Sequence, residues 1–139
     1  MRTSKHLIAA LSLVCSQAMA QETQPLLSVE LNAQETTEAG CLLSFMVRNG
    51  HAQEIENVVF ETVLFNTAGQ VDRLTLLDFG SFPPNRPRVR QFLVDGLACD
   101  ALGQVLINGA NSCKVAGTDS PICDNSLGLS SRTGTELTG

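Results

Sequence analysis

The stretch NVVFETVLFNTAGQVDRLTLLDF, residues 57–79, consists of two runs rich in β-branched and aromatic residues on either side of NTAG. Such runs favour β-strands, and the Asn and Gly of a short connection tolerate the positive φ angles of a hairpin turn. The stretch therefore predicts a β-hairpin in which Phe65 lies opposite Val71. A regular ladder from that pair would place on one buried face Phe60, Leu64, Leu74 and Leu76. The opposite face would hold Glu61, Arg73 and Thr75, with Glu61 and Arg73 as diagonal neighbours.

The rest of the chain shows short alternating runs between turn signals and no long helical period. Alternation of apolar and polar residues predicts further strands at 26–32, 41–49, 88–94, 104–108 and 126–133. A loop is expected from 109 to 124, and a single helical turn at 100–102. About seven short antiparallel strands in some hundred residues predict an all-β, immunoglobulin-like sandwich, formed as a single domain by residues 21–139.

The first twenty residues have the composition of a targeting signal. Arg2 and Lys5 precede the apolar run LIAALSLV, which is too short to span a bilayer, and AMA ends in small residues before Gln21. We therefore predict a secretory signal peptide at 1–20, and a periplasmic or secreted product. Lipid attachment at Cys15 is the less favoured alternative, because Val14 stands where a small residue is needed. The remaining sequence contains no predicted transmembrane segment.

Removal of residues 1–20 leaves four cysteines, Cys41, Cys99, Cys113 and Cys123. An even number in an oxidising compartment indicates two disulfides, for which three pairings are possible. We predict Cys41–Cys99 and Cys113–Cys123, because Cys41 shares the inward parity of its strand and Cys113 and Cys123 flank a short loop of turn-forming residues. The competing pairing is Cys99–Cys113 with Cys41–Cys123.

The segment SFPPNRPRVRQFLVDG, residues 81–96, places Arg86, Arg88 and Arg90 at every second position. A regular strand would put these arginines on the same face as Phe92 and Val94, so we predict a bulge or twist near residues 90–91 that exchanges the faces and turns Val89 inward. The three arginines are then either a solvated strand edge protected by charge and proline or a patch that binds an acidic partner. They are the candidate binding residues of the sequence.

Charge and residue types narrow the possible functions. After residues 1–20 are removed, which include Arg2 and Lys5 of the nine basic residues, seven basic residues remain against 14 acidic ones, a net charge near −7. Such a protein would repel nucleic acid. The one remaining histidine, His51, lies in a polar turn and is expected to be solvated, so no catalytic triad and no metal site are predicted. We predict a protein that is not an enzyme and needs no cofactor.

Part of the chain resembles the FxLyD type of extracellular immunoglobulin-like module over roughly residues 41–95. The residues that match its motif are Val47, Asn49, Ile55, Asn57, Val58, Leu64, Phe65 and Gly69, followed by Pro84 and Phe92. Thr62 and Asn66 stand where the motif has Phe and Asp. The resemblance implies an immunoglobulin-like fold and brings no catalytic residue.

The whole chain also resembles a family of small, cysteine-containing secreted proteins of Gram-negative bacteria that is labelled "Tat pathway signal sequence domain protein". The blocks ETVLF…G, RLTL…DFG and RPRVRQF at 61–69, 73–80 and 86–92 carry this likeness, although the chain lacks the twin arginines of that pathway. The resemblance implies export and no defined activity.

These observations leave two function classes. The first is a non-catalytic module of the cell envelope that contacts another envelope protein through strand edges or through the three arginines. The second is a small disulfide-stapled inhibitor that presents the 113–123 loop to a hydrolase. A sheet-face patch would favour the first class, and a rigid protruding loop would favour the second.

Overall fold

The computed structural model describes residues 26–139, and these residues form nine β-strands and two short 3-10 turns. The predicted signal peptide at 1–20, including Cys15, lies outside the described residues. The strands are β1 (Leu27–Thr36), β2 (Gly40–Asn49), β3 (Ile55–Asn66), β4 (Val71–Phe82), β5 (Arg88–Asp95), β6 (Leu102–Val115), β7 (Thr118–Asp119), β8 (Leu127–Ser131) and β9 (Glu136–Thr138). The 3-10 turns are Cys99–Ala101 and Pro121–Cys123.

The strands form two sheets packed face to face. Sheet A has the order β5-β2-β1-β8, and sheet B has the order β4-β3-β6-β7, with β9 also pairing with β6. The second and fifth strands are neighbours in one sheet and the third and sixth in the other, which are the B–E and C–F neighbours of an immunoglobulin-like sandwich. The predicted fold class is thus confirmed, with nine strands instead of about seven and with parallel pairing of β1 with β8 and of β6 with β9.

Strand β6 is much longer than predicted. The sequence indicated a strand only at 104–108, because the following INGANS contains glycine and asparagine, which usually end a strand. In the structure the ladder between β3 and β6 continues to Lys114 through two register shifts, and Gly109 has a φ of 151° at one of them. The bulges accommodate the turn-forming residues. The predicted loop at 109–124 is therefore wrong for residues 109–115, which belong to β6.

The core between the sheets is organised around Phe79 of β4. Its ring centroid lies 5.4 Å from that of Phe45, 5.4 Å from that of Phe60 and 4.8 Å from that of Phe92. These rings come from β2, β3 and β5, so one side chain of an edge strand joins both sheets. Edge-to-face and tilted aromatic pairs each contribute about 0.5–1.5 kcal/mol beyond their buried area.

The β3–β4 hairpin has the predicted turn but a different register along its arms. Phe65 pairs with Val71 as expected, but Leu64 then pairs with Arg73, so Asp72 is an extra residue in β4. One extra residue moves all following side chains to the opposite face. Phe60 consequently pairs with Leu77, and Leu74 and Leu76 are 58% and 52% exposed. The predicted burial of Leu74 and Leu76 is wrong.

The same slip corrects the predicted contact between Glu61 and Arg73. Glu61 lies opposite Leu76, whereas Arg73 lies beside Leu64 and its Nε donates to the Asp72 carboxylate at 2.8 Å. A second donor of Arg73, Nη1, reaches the backbone oxygen of Asp95 in β5 at 2.8 Å. Arg73 therefore faces the gap between the two sheets.

Strand β5 is regular, and the bulge predicted near residues 90–91 is absent from it. Its ladder with β2 runs without interruption from Gly40 opposite Asp95 to Val47 opposite Arg88. Arg88, Arg90, Phe92 and Val94 therefore share the inward parity, and Val89 is 59% exposed. The prediction that Val89 turns inward is wrong.

Both disulfides have the predicted pairing. Cys41 of β2 is joined to Cys99 of the first 3-10 turn with a Cα–Cα distance of 4.8 Å, and Cys113 of β6 is joined to Cys123 of the second with a distance of 6.1 Å. The first bridge fastens the chain that leaves β5 to the neighbouring strand β2. Both distances lie in the range normal for disulfides.

Candidate interaction surface

The structure separates the three arginines of segment 81–96. Arg90 is half-buried and spans the gap between the two edge strands β5 and β4. Its Nε donates to the backbone oxygen of Phe79 at 2.6 Å, Nη2 donates to that of Ser81 at 2.9 Å, and Nη1 donates to that of Val89 at 3.0 Å. The guanidinium also lies 4.9 Å from the ring centroid of Phe82, a cation–π distance. Each of its three guanidinium nitrogens thus donates to a backbone oxygen within the fold.

Arg86 and Arg88 are in a different environment. Arg86 is exposed in the proline-rich connection between β4 and β5, and Arg88 is half-buried at the start of β5. Arg88 donates to the backbone oxygen of Pro87 at 3.1 Å. Within residues 26–139 neither arginine has a carboxylate within salt-bridge distance. Arg86 and Arg88 therefore retain the capacity to bind an anion, a capacity that Arg90 has lost.

A further arginine, Arg48, lies at the same end of the β2–β5 pair and was missed by the sequence reasoning. It is exposed near the end of β2, on the outer face of sheet A. Because Val47 pairs with Arg88, Arg48 lies beside Pro87, and these two residues line one surface depression together with Met46. Its outward parity in the predicted strand 41–49 was a usable signal, but the neighbouring strand could not be known.

The cations of the described chain divide into three groups. Arg73, Lys114 and Arg132 lie 2.8, 2.8 and 3.0 Å from carboxylate oxygens. Arg90 is bonded to backbone oxygens. The remaining three of the seven cations in residues 26–139 are together at one end of the β2–β5 pair. We call this end of the pair the basic strip and define it as Met46, Arg48, Pro87 and Val89 on the outer side of sheet A, Arg86 in the connection before β5, and Arg88, whose side chain has the inward parity.

Glu30 is the nearest acidic residue of the same face, on β1 opposite Met46. The pKa of Glu30 lies below its ordinary value, chiefly because Asn32 donates a hydrogen bond to the carboxylate, with further contributions from the hydrogen bond and charge of Arg132. The carboxylate is therefore ionised and already engaged by two partners. Glu30 lines the same depression as Arg48 but is not within salt-bridge distance of it.

The outer face of sheet B has the opposite charge. Leu74, Val63 and Leu106 form a row across β4, β3 and β6, and Val71 and Phe65 form the next pair. Val63 is only 8% exposed although it points outward, because its two neighbours cover it, whereas Val71 is 62% exposed. Glu61, Asp78 and Glu136 flank these rows. We call this surface the acidic face and define it as Glu61, Val63, Phe65, Val71, Leu74, Leu76, Asp78, Leu106 and Glu136.

Exposed apolar side chains are concentrated on the two edge strands. Five of the six large hydrophobic residues that are exposed within the described chain lie on β4 or β5, and the sixth is Leu26. Those on β4 belong to the acidic face, and of the two on β5 Val89 belongs to the basic strip. Exposed apolar area with charged residues around it is typical of surfaces that bind other proteins.

His51 is less solvated than predicted. Its side chain is half-buried, and its Nε2 atom is buried with no hydrogen-bond partner among the described residues. The backbone NH of His51 donates to the Asn49 side chain at 2.9 Å, which holds the turn after β2. Within residues 26–139, no three side chains of His, Cys, Asp or Glu are placed to hold a metal ion together.

The 113–123 segment, expected to be a presented loop, folds back on sheet B. Val115 pairs with Thr118 in a tight hairpin whose tip is Ala116-Gly117. The NH of Gly117 donates to the two carboxylate oxygens of Glu56 at 3.1 and 3.2 Å. Ser120 then returns to Cys113, with a hydrogen bond of 2.9 Å between its NH and the backbone oxygen of Cys113. The segment is short and is held to sheet B by these bonds and by the Cys113–Cys123 disulfide.

No helix among the described residues is long and apolar enough to cross a membrane. Comparisons with protein-family models, with curated proteins and with solved structures find no match to this chain.

Proposed function

We propose that this protein is a non-catalytic exported module of the cell envelope that binds another envelope protein through the basic strip. Export is supported by the signal-like residues 1–20 and by two disulfides, which form and persist in oxidising compartments such as the periplasm or the extracellular space.

The observation that carries the proposal is the clustering of cations without a carboxylate partner. The chain is acidic, with a net charge of −5, so randomly placed arginines would readily find acidic neighbours. Arg48, Arg86 and Arg88 instead share one end of the β2–β5 pair beside the exposed Val89, and none of them has a carboxylate within salt-bridge distance among the described residues. Charges arranged in this way steer an oppositely charged partner and select against wrong ones, and adjacent apolar area contributes affinity. We therefore expect an acidic partner surface that includes apolar side chains.

The side-chain chemistry of the described residues supports a binding role over a catalytic one. All four cysteines at 41, 99, 113 and 123 are in disulfides and supply no thiolate. The described histidine has one ring nitrogen enclosed within the fold. A nucleophilic mechanism needs an accessible base next to the nucleophile, and His51 is poorly placed for that role.

The inhibitor alternative has less support. An inhibitor loop must stand away from the body so that it can enter a protease cleft. The hairpin at 113–123 has a two-residue tip and is bonded to Glu56 and to Cys113 on the same sheet.

The experiment compares capture of partners from an envelope extract by two double variants. The test variant is R48S/R86S, and the control is R73S/K114S, which removes the same charge from residues that have ion-pair partners. Arg90 is left intact because of its bonds within the fold. We expect the wild type and the control to recover the same partner at low salt and the test variant to lose it. Equal recovery by all three proteins would refute a role of the basic strip.

A further inference from the structure

The two disulfides differ in their exposure to solvent. In the bridge between Cys113 and Cys123 both residues are buried, with 4% and 0% of their surface exposed. In the other bridge Cys41 is 0% exposed, whereas Cys99 in the first 3-10 turn is only half-buried. Thiol–disulfide exchange depends on the access of an attacking thiolate to a disulfide sulfur. Of the four bridged cysteines, Cys99 is therefore the one that a dissolved thiol approaches most readily.

Cys99 lines a surface depression of about 450 Å³ at the end of the sandwich where β6 begins. Hydrogen bonds fix another part of its lining, since the Gln34 amide donates to the Thr135 hydroxyl at 2.8 Å and that hydroxyl donates to the backbone oxygen of Leu102 at 3.1 Å. These groups are neutral, and Asp100 is the one charged side chain among the lining residues of the described chain. The depression thus places a carboxylate beside the half-buried disulfide.

We propose that Cys99 is a site of reversible S-thiolation by small neutral or cationic thiols. The thiolate of the small molecule attacks Sγ of Cys99, and a new S–S bond forms between the two sulfurs. The bond to Cys41 breaks, its electron pair remains on Sγ of Cys41, and that sulfur takes up a proton from water. One disulfide replaces another, so the step needs no further oxidant or reductant.

The buried position of Cys41 makes the modification reversible. Cys41 is 0% exposed, so a dissolved thiol has little access to it, whereas Cys99 is its neighbour at a Cα–Cα distance of 4.8 Å in the bridged form. When the free thiol is removed, the Cys41 thiolate attacks Sγ of Cys99, restores the native bridge and releases the small molecule as its thiolate. The covalent link between β2 and the connection that follows β5 is opened and closed in this way.

Asp100 selects among thiols by their charge. Its carboxylate lies in the depression from which the thiol approaches, and the chain as a whole has a net charge of −5. A second negative charge on the incoming molecule is repelled and a positive one is attracted. Two unit charges a few ångströms apart in water interact strongly enough to change the rate by about twofold to fivefold.

The test treats the folded protein, without denaturant, with three thiols of similar size in separate reactions. They are cysteamine, which is a cation, 2-mercaptoethanol, which is neutral, and 2-mercaptoethanesulfonate, which is an anion. Each rate is divided by the rate of the same thiol with a blocked, uncharged cystine derivative, which removes differences in thiolate fraction and nucleophilicity. After an acid quench, peptide mapping is expected to find the added group on Cys99 and an intact bridge between Cys113 and Cys123.

Two variants test the role of Asp100. We expect normalised rates for the wild type that fall from cysteamine to 2-mercaptoethanol to the sulfonate by about twofold to fivefold at each step. D100N should bring the three rates together, as should 1 M salt, which shortens the Debye length to about 3 Å. The matched control is E54Q, which removes an exposed carboxylate in the turn before β3 and should keep the order. The two ends of β3 separate these sites, because Asn66 at its far end pairs with Leu102.

Three results would overturn the site itself. They are faster opening of the bridge between Cys113 and Cys123, attachment of the thiol to Cys41, and no mixed disulfide under conditions that open the blocked cystine. An order of rates that D100N leaves unchanged, or that E54Q abolishes, would overturn the selection by Asp100. Circular dichroism shows that both variants are folded. The reactions need no envelope partner, so their outcome is independent of the role of the basic strip.

Discussion

β4 and β5 are the outermost strands of their sheets on the same side of the sandwich, and each contributes exposed apolar side chains, but they reach this state differently. β4 contains an extra residue, Asp72, after which its leucines at 74 and 76 point to solvent. β5 contains none, and its regular alternation turns Arg90 toward the interior. The sequence pattern had predicted the reverse, a regular β4 and a bulged β5.

The difference shows that the local sequence pattern of a strand does not by itself decide which of its faces is buried. In β4, the pattern LTLLDF offers apolar residues on both faces, and the face that contains Leu77 and Phe79 is buried because Phe79 fits between three other rings. In β5, an inward arginine is tolerated because three backbone oxygens and an aromatic ring are placed to receive it. A partly buried cation is acceptable when it is fully hydrogen-bonded.

The largest expected effect separates the two registers of the hairpin. Phe60→Ala removes a fully buried ring beside Phe79, so the free energy of unfolding should fall by about 3–5 kcal/mol. Leu76→Ala, in the exposed row, should change it by no more than about 0.5 kcal/mol. Urea unfolding of both variants measures the contrast. Comparable losses would mean that Leu76 is buried with Phe60, as the regular ladder requires.

Removal of the disulfides tests how strongly β5 depends on its covalent link to β2. The Cys41–Cys99 bridge joins residues 58 apart in sequence, and Cys113–Cys123 joins residues 10 apart. Loop-closure entropy predicts a loss of about 4 kcal/mol for C41S/C99S and of about 3 kcal/mol for C113S/C123S. Thermal unfolding of the two double variants measures both losses. A larger loss of stability for C113S/C123S than for C41S/C99S would contradict this ordering.

Arg90 and Arg86 should differ in their contribution to stability. Arg90→Ala leaves the backbone oxygens of Phe79 and Ser81 without their donor, and hydrogen bonds to a charged group are worth about 1.5–3 kcal/mol. Arg86→Ala, at an exposed residue, should change stability by less than about 0.5 kcal/mol. Denaturation midpoints measured in parallel compare the two. An Arg90→Ala protein as stable as the Arg86→Ala protein would show that the bridge between the edges is dispensable.

The smallest effect is expected when the bulge itself is removed. Deletion of Asp72 leaves Phe65 opposite Val71 and Leu64 opposite Arg73, so the ladder becomes regular without moving any side chain to the other face. The main loss is the Asp72–Arg73 ion pair, a surface interaction worth at most about 1 kcal/mol. Labelling of a cysteine introduced in place of Leu76 reports whether that residue stays exposed. Protection of this cysteine in the deletion variant would show that the faces had exchanged.

Several features follow from the sequence alone, because they depend on interactions between residues close together in the chain or on simple parity. The hairpin turn is one: Asn66 and Gly69 form it, with Gly69 at a φ of 78° and hydrogen bonds from the NH groups of residues 68 and 70 to the Asn66 side chain. The inward parity of Cys41 and the spacing of Cys113 and Cys123 were enough to predict both disulfides. Short alternating runs between turns were enough for the all-β class.

The tertiary structure alone decided which residues form the basic strip and the acidic face. A strand has a period of two, so a single inserted residue reverses its faces at low local cost, and only packing against the other sheet selects one arrangement. The bulge at Asp72, the engagement of Arg90 and the position of Arg48 beside Pro87 all depend on neighbours that are distant in sequence. The basic strip includes part of β5, and the acidic face includes part of β4. These two strands do not pair with each other, and only the packing of the two sheets brings them to one side of the sandwich.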